Sequence, residues 1–363
     1  MTAVAGPYRA PQVYPPVTFS NVDEVDLHYQ AEQIAPPQTA VHNVDYQRRP
    51  GKRAWGHPEF WNESGTGDML FTTLFQMVMR GADGVGVSSG IPPWGYQMGD
   101  DPRNTSAGIP TAFRACNRLL AQYGNWCMTL KNCDSIAIPV SGRMARIDQW
   151  GGIGGQHFTR LYEAYNACLY ALYPASFVYV EDMKPDTLAQ YKAVLLIDQR
   201  VELEPALADA LAQARKAGVR IFADGTCRSE LLTGVTPLAL SCNRVEKDPS
   251  VWQDDGAYYR FPQYFRAHAQ VLRQALAPVC PPVAEVENPE ILLSARSSGA
   301  GRFLFLVNNT MLDMPPALLW RMNMYIANRL PLVAPVKFPA SAGAVYDVFA
   351  LRQVAYPMPG RWQ

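Results

Sequence analysis

The chain has no surplus of charge. Its 363 residues include 32 Lys+Arg against 32 Asp+Glu, a formal net charge of zero. That balance argues against nucleic acid or an anionic membrane as partner, because both select basic faces. Cysteine is sparse and unpatterned, with 7 residues at 116, 127, 133, 168, 227, 242 and 280 and no CxxC spacing. An odd count without a motif argues against a disulfide framework and fits scattered thiols in a reducing compartment. The 5 histidines show no paired spacing, so neither a metal site nor a cofactor is expected. No run approaches the roughly 18 apolar residues needed to cross a bilayer. The start, MTAVAGPYRAPQVYPP, lacks a basic segment followed by an apolar core, so no signal peptide is read there. A cytoplasmic protein is the expectation. Internal repeats at solenoid spacing and low-complexity tracts are also missing.

What is present is an ordinary globular composition, 48% hydrophobic and 18% charged, with 30 prolines, 8 tryptophans and 18 tyrosines. Many of the aromatics fall in the first third, beside glycine and proline. Loops of that kind suit a site that stacks flat rings, sugars among them. The plainer alternative is that these aromatics pack irregular segments down.

Residues 1–20 are proline-rich and polar, an extended lead-in. Glu24 to Tyr29 alternates polar and apolar residues, as a half-buried strand does. Pro36-Pro37 opens a segment that Pro50-Gly51 closes. Lys52 to Trp61 (KRAWGHPEFW) reads as a second strand. Ser64 and Thr66 are candidate N-caps for a helix over Asp68 to Arg80, with Gly81 where a stop belongs. Gly84 to Ser89 is a third strand, after which Phe113, Cys116, Leu120 and Tyr123 fall at helical spacing. Strands alternating with helices mark parallel βα units. They are fewer here than a closed (β/α)8 barrel holds.

A second α/β stretch begins near residue 134. Ile136 to Val140 is a buried-type strand, and Phe158, Leu161, Tyr162, Tyr165, Leu169 and Leu172 mark an amphipathic helix. Strands at Phe177 to Val180, Ala193 to Asp198 and Val219 to Ala223 follow, with a helix from Glu204 to Ala217 that ends at Gly218. This alternation indicates an open, doubly wound sheet. A helix is expected around 263–276. Strands at Ile291 to Ala295, Arg302 to Asn308, Ala344 to Phe349 and Arg352 to Tyr356 indicate a small antiparallel β domain.

The run GKRAWGHPEFWNESGTGDMLFTTLFQMVMRGADGVGVSSG resembles the seventh strand, seventh helix and eighth strand of clan-A glycoside hydrolase barrels. NCDSIAIPVSG, the helix after Gly155, LAQYKAVLLIDQRVELEPALADALAQARKAGVRIFADG and the closing VYDVFALRQV are similar to the layout of family 42 β-galactosidases. There a barrel is followed by a flavodoxin-like trimerisation domain and a small β domain. The resemblance implies an α/β fold with partial (β/α)8-barrel units over 1–131, a flavodoxin-like domain over 132–287 and a small antiparallel β domain over 288–363.

It also implies a retaining β-glycosidase with a carbohydrate substrate and a homo-oligomeric, even trimeric, assembly. The nucleophile at the end of the seventh strand matches Glu59 best, with Glu63 the alternative. Retention needs a second carboxyl group roughly 5–5.5 Å away. The nucleophile must stay ionised, and His57, His28 and Tyr29 are candidate contacts for it. Trp55, Trp61 and Trp94 are candidate platforms under sugar rings. The family's acid/base residue, commonly in an Asn-Glu pair, sits on the fourth strand, expected before residue 1. Asn62-Glu63 has those letters but follows the seventh strand. The chain is therefore expected to be the C-terminal part of a longer protein, to borrow strands from a partner chain, or to hold a degenerate barrel. Alone, it is expected to self-associate or dissolve poorly, because open parallel edges and bare helix faces invite association.

Two further motifs carry residues with potential for chemistry. Cys227 in FADGTCRSE follows a strand, near where class I amidotransferases place a nucleophile, but it lacks flanking glycines for an elbow, and His268 is the sole later histidine. Trp150 to Gly155 (WGGIGG) precedes a helix and suits a phosphate cradle, yet it lacks the Lys-Ser/Thr ending of a P-loop. An incidental thiol and a loop without ligand are expected.

Overall fold

A computed structural model of the protein describes residues 2–4, 24–30, 39–59, 67–85, 108–150, 156–228, 230, 232–240, 257–288, 291–299, 301–308, 335–338, 346–347, 352–353 and 361–362. The first stretch runs β1 (Thr2–Val4), β2 (Glu24–Gln30), α1 (Thr39–Gln47), β3 (Arg53–Glu59), α2 (Gly67–Met79), β4 (Gly84–Val85) and α3 (Gly108–Thr129). Its four strands pair in the order β1-β2-β3-β4, all parallel. Where they fall on described residues, the expected strands and helices stand within a few residues of their sequence positions. Residues 60–61, 86–89, 344–345, 348–349 and 354–356 of the expected strands lie outside the described residues. The segment between Pro36 and Arg49, for which no element was expected, forms α1. Its buried face mixes Val41, Val44 and Tyr46 with the polar His42, Asp45 and Gln47, so hydrophobic periodicity does not reveal it.

Helix α2 is buried through Leu74, Met77, Val78 and Met79. It closes in a Schellman motif: Gly81, at φ +76°, donates to Val78 O (2.9 Å) and Ala82 to Met77 O (3.0 Å). Two glycines let α2 and β4 approach β3. A Cβ on Gly56 would run into Met77, and one on Gly84 would lie 2.7 Å from the Trp55 ring. Gly84→Ala is thus expected to lower stability by about 1–3 kcal/mol through overpacking. A fall in the urea midpoint would show it.

The central unit comprises β5 (Lys131–Asn132), β6 (Ile136–Val140), α4 (Gly142–Trp150), α5 (Gln156–Tyr170), β7 (Ala175–Tyr179), β8 (Ala193–Leu196), α6 (Pro205–Lys216), β9 (Arg220–Ala223), β10 (Thr236–Pro237) and α7 (Ala257–Leu276). Strands β6 to β10 form one parallel sheet in the order β10-β9-β8-β6-β7. That is the flavodoxin-like order, in which the chain reverses direction across the sheet between β6 and β8. Every residue of β6 and β8 is buried, as expected of parallel strands covered on both faces. One face packs on α5 and α7, the other on α6.

The last strands are β11 (Glu285–Val286), β12 (Ile291–Ser298), β13 (Gly301–Asn308), β14 (Val336–Lys337), β15 (Tyr346–Asp347), β16 (Arg352–Gln353) and β17 (Arg361–Trp362). They make small antiparallel sheets: β13-β12-β5, β11-β14-β17 and the pair β15-β16. Lys131–Asn132, at the expected boundary of the first unit, thus adds to the edge of β12. A Schellman turn after α5 brings the sheets together. Leu172 takes the left-handed position at φ +66° and donates to Leu169 O, while Tyr173 donates to Cys168 O. A branched residue there costs about 1–2 kcal/mol of backbone energy. It is held because the Leu172 side chain is buried with Val286, Ile291, Leu293 and Val336.

Candidate active site

The carboxyl ends of parallel strands are where α/β folds build sites. Glu59 is the last residue of β3 and stands level with Gln30, the last of β2. Pro58 pairs with Tyr29, and His57 with His28. Four residues singled out from sequence (His28, Tyr29, His57 and Glu59) therefore fall on the final three rungs of two neighbouring strands. Trp55 stands lower, on the rung of Asp26 and Gly84, with its indole against Gly84. Trp61, Glu63 and Trp94 lie outside the described residues, as do Gly151 to Gly155.

The base of β3 is fixed from three directions. Lys52 N–H donates to Arg49 O (3.1 Å), closing a turn with Pro50 and with Gly51 at φ +72°. The Gln47 amide at the end of α1 donates to Trp55 O at 2.6 Å. Asp83 accepts from Ala54 N–H at 2.8 Å and donates its own N–H to Ala54 O at 2.8 Å.

Beneath this sheet lies a buried ionic centre that the sequence reading did not pick out. Arg80, wholly buried, donates to Asp45 (2.6 Å) on α1, to both oxygens of Asp134 (2.8 and 2.6 Å), to Ser294 Oγ (3.0 Å) on β12 and to Ala175 O (3.2 Å). Tyr165 donates to Asp45, and Ser176 to Asp134 (2.6 Å). Burial opposes the charge on Arg80, yet Asp134 and Asp45 together hold the guanidinium well above its ordinary value. Burial likewise works against Asp134, but Arg80 holds that carboxyl below 3.8. At Asp45 burial wins over Arg80 and Arg48, and the carboxyl is pushed up. Arg48 and Arg296 cap the helix ends around it. Arg48 donates to the carbonyls of Arg80 (2.6 Å) and Gly81 (2.9 Å), and Arg296 to those of Val78 and Leu130. Burial, with Arg48 near, pulls Arg296 down to about 10.

A second polar centre stands at the carboxyl end of the five-stranded sheet. Asp198, just past β8 and fully buried at φ +56°, receives His157 Nδ1 (3.1 Å) and Arg160 from α5, with Arg200 Nε at 3.1 Å. Its own N–H donates to Asp224 at 3.1 Å. The Cys227 thiol lies 3.2 Å from Asp224 and 3.3 Å from Leu196 O, both acceptors. Burial and Asp224 push that thiol far up, the reverse of what a nucleophile needs. Cys227 packs on the α6 side of the sheet, whereas α7, which carries His268, packs on the other. The arrangement cannot activate a thiolate. Iodoacetamide at pH 8 is expected to leave Cys227 unmodified in the folded chain and to alkylate it in urea, as peptide mapping would show. Among the described residues no group of three or more His, Cys, Asp or Glu is placed to hold a metal ion. No helix among them is long and apolar enough to cross a membrane.

No protein-family model and no curated protein matches the chain by sequence. Solved structures match it by fold. α-L-fucosidase isoenzyme 2 from Paenibacillus thiaminolyticus aligns over 92% of this chain and 65% of its own, with a TM-score of 0.55 and 12% identity. A catalytic mutant of Gan42B, a GH42 β-galactosidase from G. stearothermophilus, aligns over 93% and 57%, with a TM-score of 0.54 and 12% identity. The chain has a glycoside hydrolase-like fold. It spans less than two thirds of the length of either glycosidase chain, and at that identity the likeness concerns fold alone.

Proposed function

We propose that the chain is the carbohydrate-active C-terminal portion of a retaining, β-galactosidase-like glycosidase, with Glu59 as nucleophile. The observation that carries this reading is the register of β2 and β3, which aligns the ends of both strands at Gln30 and Glu59 in a fold of glycosidase type. In the reaction, a Glu59 oxygen attacks the anomeric carbon, and the bond to the leaving sugar oxygen breaks as an acid protonates it. Water then hydrolyses the glycosyl ester, with the same acid group acting as base. The acid/base carboxyl would come from an upstream barrel strand or a partner chain. His28, Tyr29 and His57 would keep Glu59 ionised, and Trp55, Trp61 and Trp94 would support sugar rings. Glu63 is the alternative nucleophile. On this reading β1 to β4 are the closing units of a barrel (1–131), the five-stranded sheet is a trimerisation-like domain (132–287) and the small sheets form a β domain (288–363). The assembly is a cytoplasmic homo-oligomer.

Activated 2-fluoro aryl glycosides test the site, because their leaving group departs without an acid. Intact mass followed by peptide mapping is expected to find one glycosyl adduct on Glu59. An adduct on Glu63 moves the role there, and no adduct with any sugar favours the second reading, a non-catalytic sugar-binding or oligomerisation relative. Sedimentation is expected to find an oligomer; a monodisperse monomer would count against the open barrel.

A further inference from the structure

We propose that Arg49 and Asp182 are a positioning pair, through which the five-stranded sheet sets where β3, and Glu59 at its end, stands. The inference rests on the reading of Glu59 as nucleophile. Helix α1 lies between the two strands of the candidate site and docks on the edge of the central unit. His42 and Tyr46 meet the rings of Phe158 and Phe177 at 5.1–5.4 Å, and Tyr179 donates to Tyr46 O. That edge is β7, the outer strand of the sheet, and Asp182 ends the 3-10 turn Val180–Asp182 that directly follows it.

Arg49 opens the turn that launches β3, and it grips Asp182 with two parallel bonds, Nε and Nη2, each 2.7 Å. A bidentate pair fixes direction as well as distance. The two side chains are 11% and 21% exposed, so the pair is largely shielded from water yet its loss opens no core cavity. From Arg53 to Glu59 the strand runs about 20 Å. A tilt of about 3° at its base would therefore move its far end by about 1 Å, and a shift of that size can cost about a hundredfold in rate. Gln47 and Asp83 hold the same strand, but from within the first α/β stretch; Arg49 alone among these contacts ties it to the neighbouring sheet.

The test uses the whole chain as Arg49→Ala, Asp182→Ala, the double variant and the exchange Arg49→Asp/Asp182→Arg. Two readouts are taken: the rate of 2-fluoro glycoside labelling at Glu59, and amide hydrogen exchange over residues 53–59. Each single variant is expected to slow labelling about tenfold or more and to speed exchange over 53–59. The double variant should do no more than either single one, and the exchanged pair should recover part of the loss. Labelling within about twofold of the parent, or singles whose effects add, overturns the proposal. A parent chain that takes no label sinks the Glu59 reading instead. The exchange data then judge the pair, and unchanged protection over 53–59 overturns it.

Discussion

Replacing Arg80 with methionine is expected to cost the fold about 3–5 kcal/mol, enough to leave much of the chain unfolded. The loss would not come from packing, since methionine is a fair volume match. It would come from leaving Asp45 and Asp134, each with a 2% exposed side chain, without the cation that offsets their burial. Ser294 Oγ and Ala175 O would lose a donor as well. The control is the triple variant Arg80→Met with Asp45→Asn and Asp134→Asn, which removes the charges together. It should recover a substantial part of the urea midpoint, because a whole buried ionic set is far cheaper to lose than one member of it. Equal losses in the single and triple variants would show that shape, not charge, is what Arg80 supplies.

The two carboxylates of this centre differ in sign, which separates them by pH. Asp134 is held below 3.8 in the fold, so its contribution is present above that value and is lost as pH falls through the folded pKa. Asp45 is raised, so its ionisation works against the fold as pH rises through its folded value. Asp45→Asn is therefore expected to cost less at neutral pH than Asp134→Asn, and only the Asp134 variant should flatten the acid limb of the stability curve. Urea midpoints between pH 3 and 7 would compare the two.

Legibility in the sequence followed the size of the apolar signal. The strands IAIPV, AVLLID and VRIFA and the helix marked by Phe158, Leu161, Tyr162, Tyr165, Leu169 and Leu172 are rich enough in buried residues that their order alone indicated a doubly wound unit. Glu59 was singled out through the resemblance to clan-A barrels, and the register sets it level with Gln30 at the end of β3. Arg80 and Asp198 were passed over for a related reason. Each ends an apolar run, MVMR and AVLLID, and a charge there reads as a solvated helix end or loop. Only the approach of distant segments, Asp45 and Asp134 to one, His157 and Arg160 to the other, turns them into buried centres. Helix α1 escaped notice because the buried polar residues His42, Asp45 and Gln47 interrupt its short apolar signal of Val41, Val44 and Tyr46.

Asp198→Ala is expected to be the most damaging change in the five-stranded sheet, at about 3–5 kcal/mol. Two separate demands meet at this residue. Its carboxylate pairs with His157 Nδ1 and offsets the charge of Arg160, residues that are 3% and 4% exposed. Its backbone sits at φ +56°, a region that aspartate and asparagine tolerate and alanine does not. The ranking of two variants separates these demands. Asp198→Asn keeps the left-handed turn and an oxygen on one side, so its loss measures the charge and the acceptor on the other side. Asp198→Ala adds the backbone cost, about 1 kcal/mol or slightly more. Urea midpoints at unchanged slope should order parent, Asn variant and Ala variant from most to least stable. An Ala variant as stable as the Asn variant would mean that the turn relaxes without strain. An Asn variant as stable as the parent would mean that Arg160 and His157 find their compensation elsewhere, with Asp198 retained for its backbone.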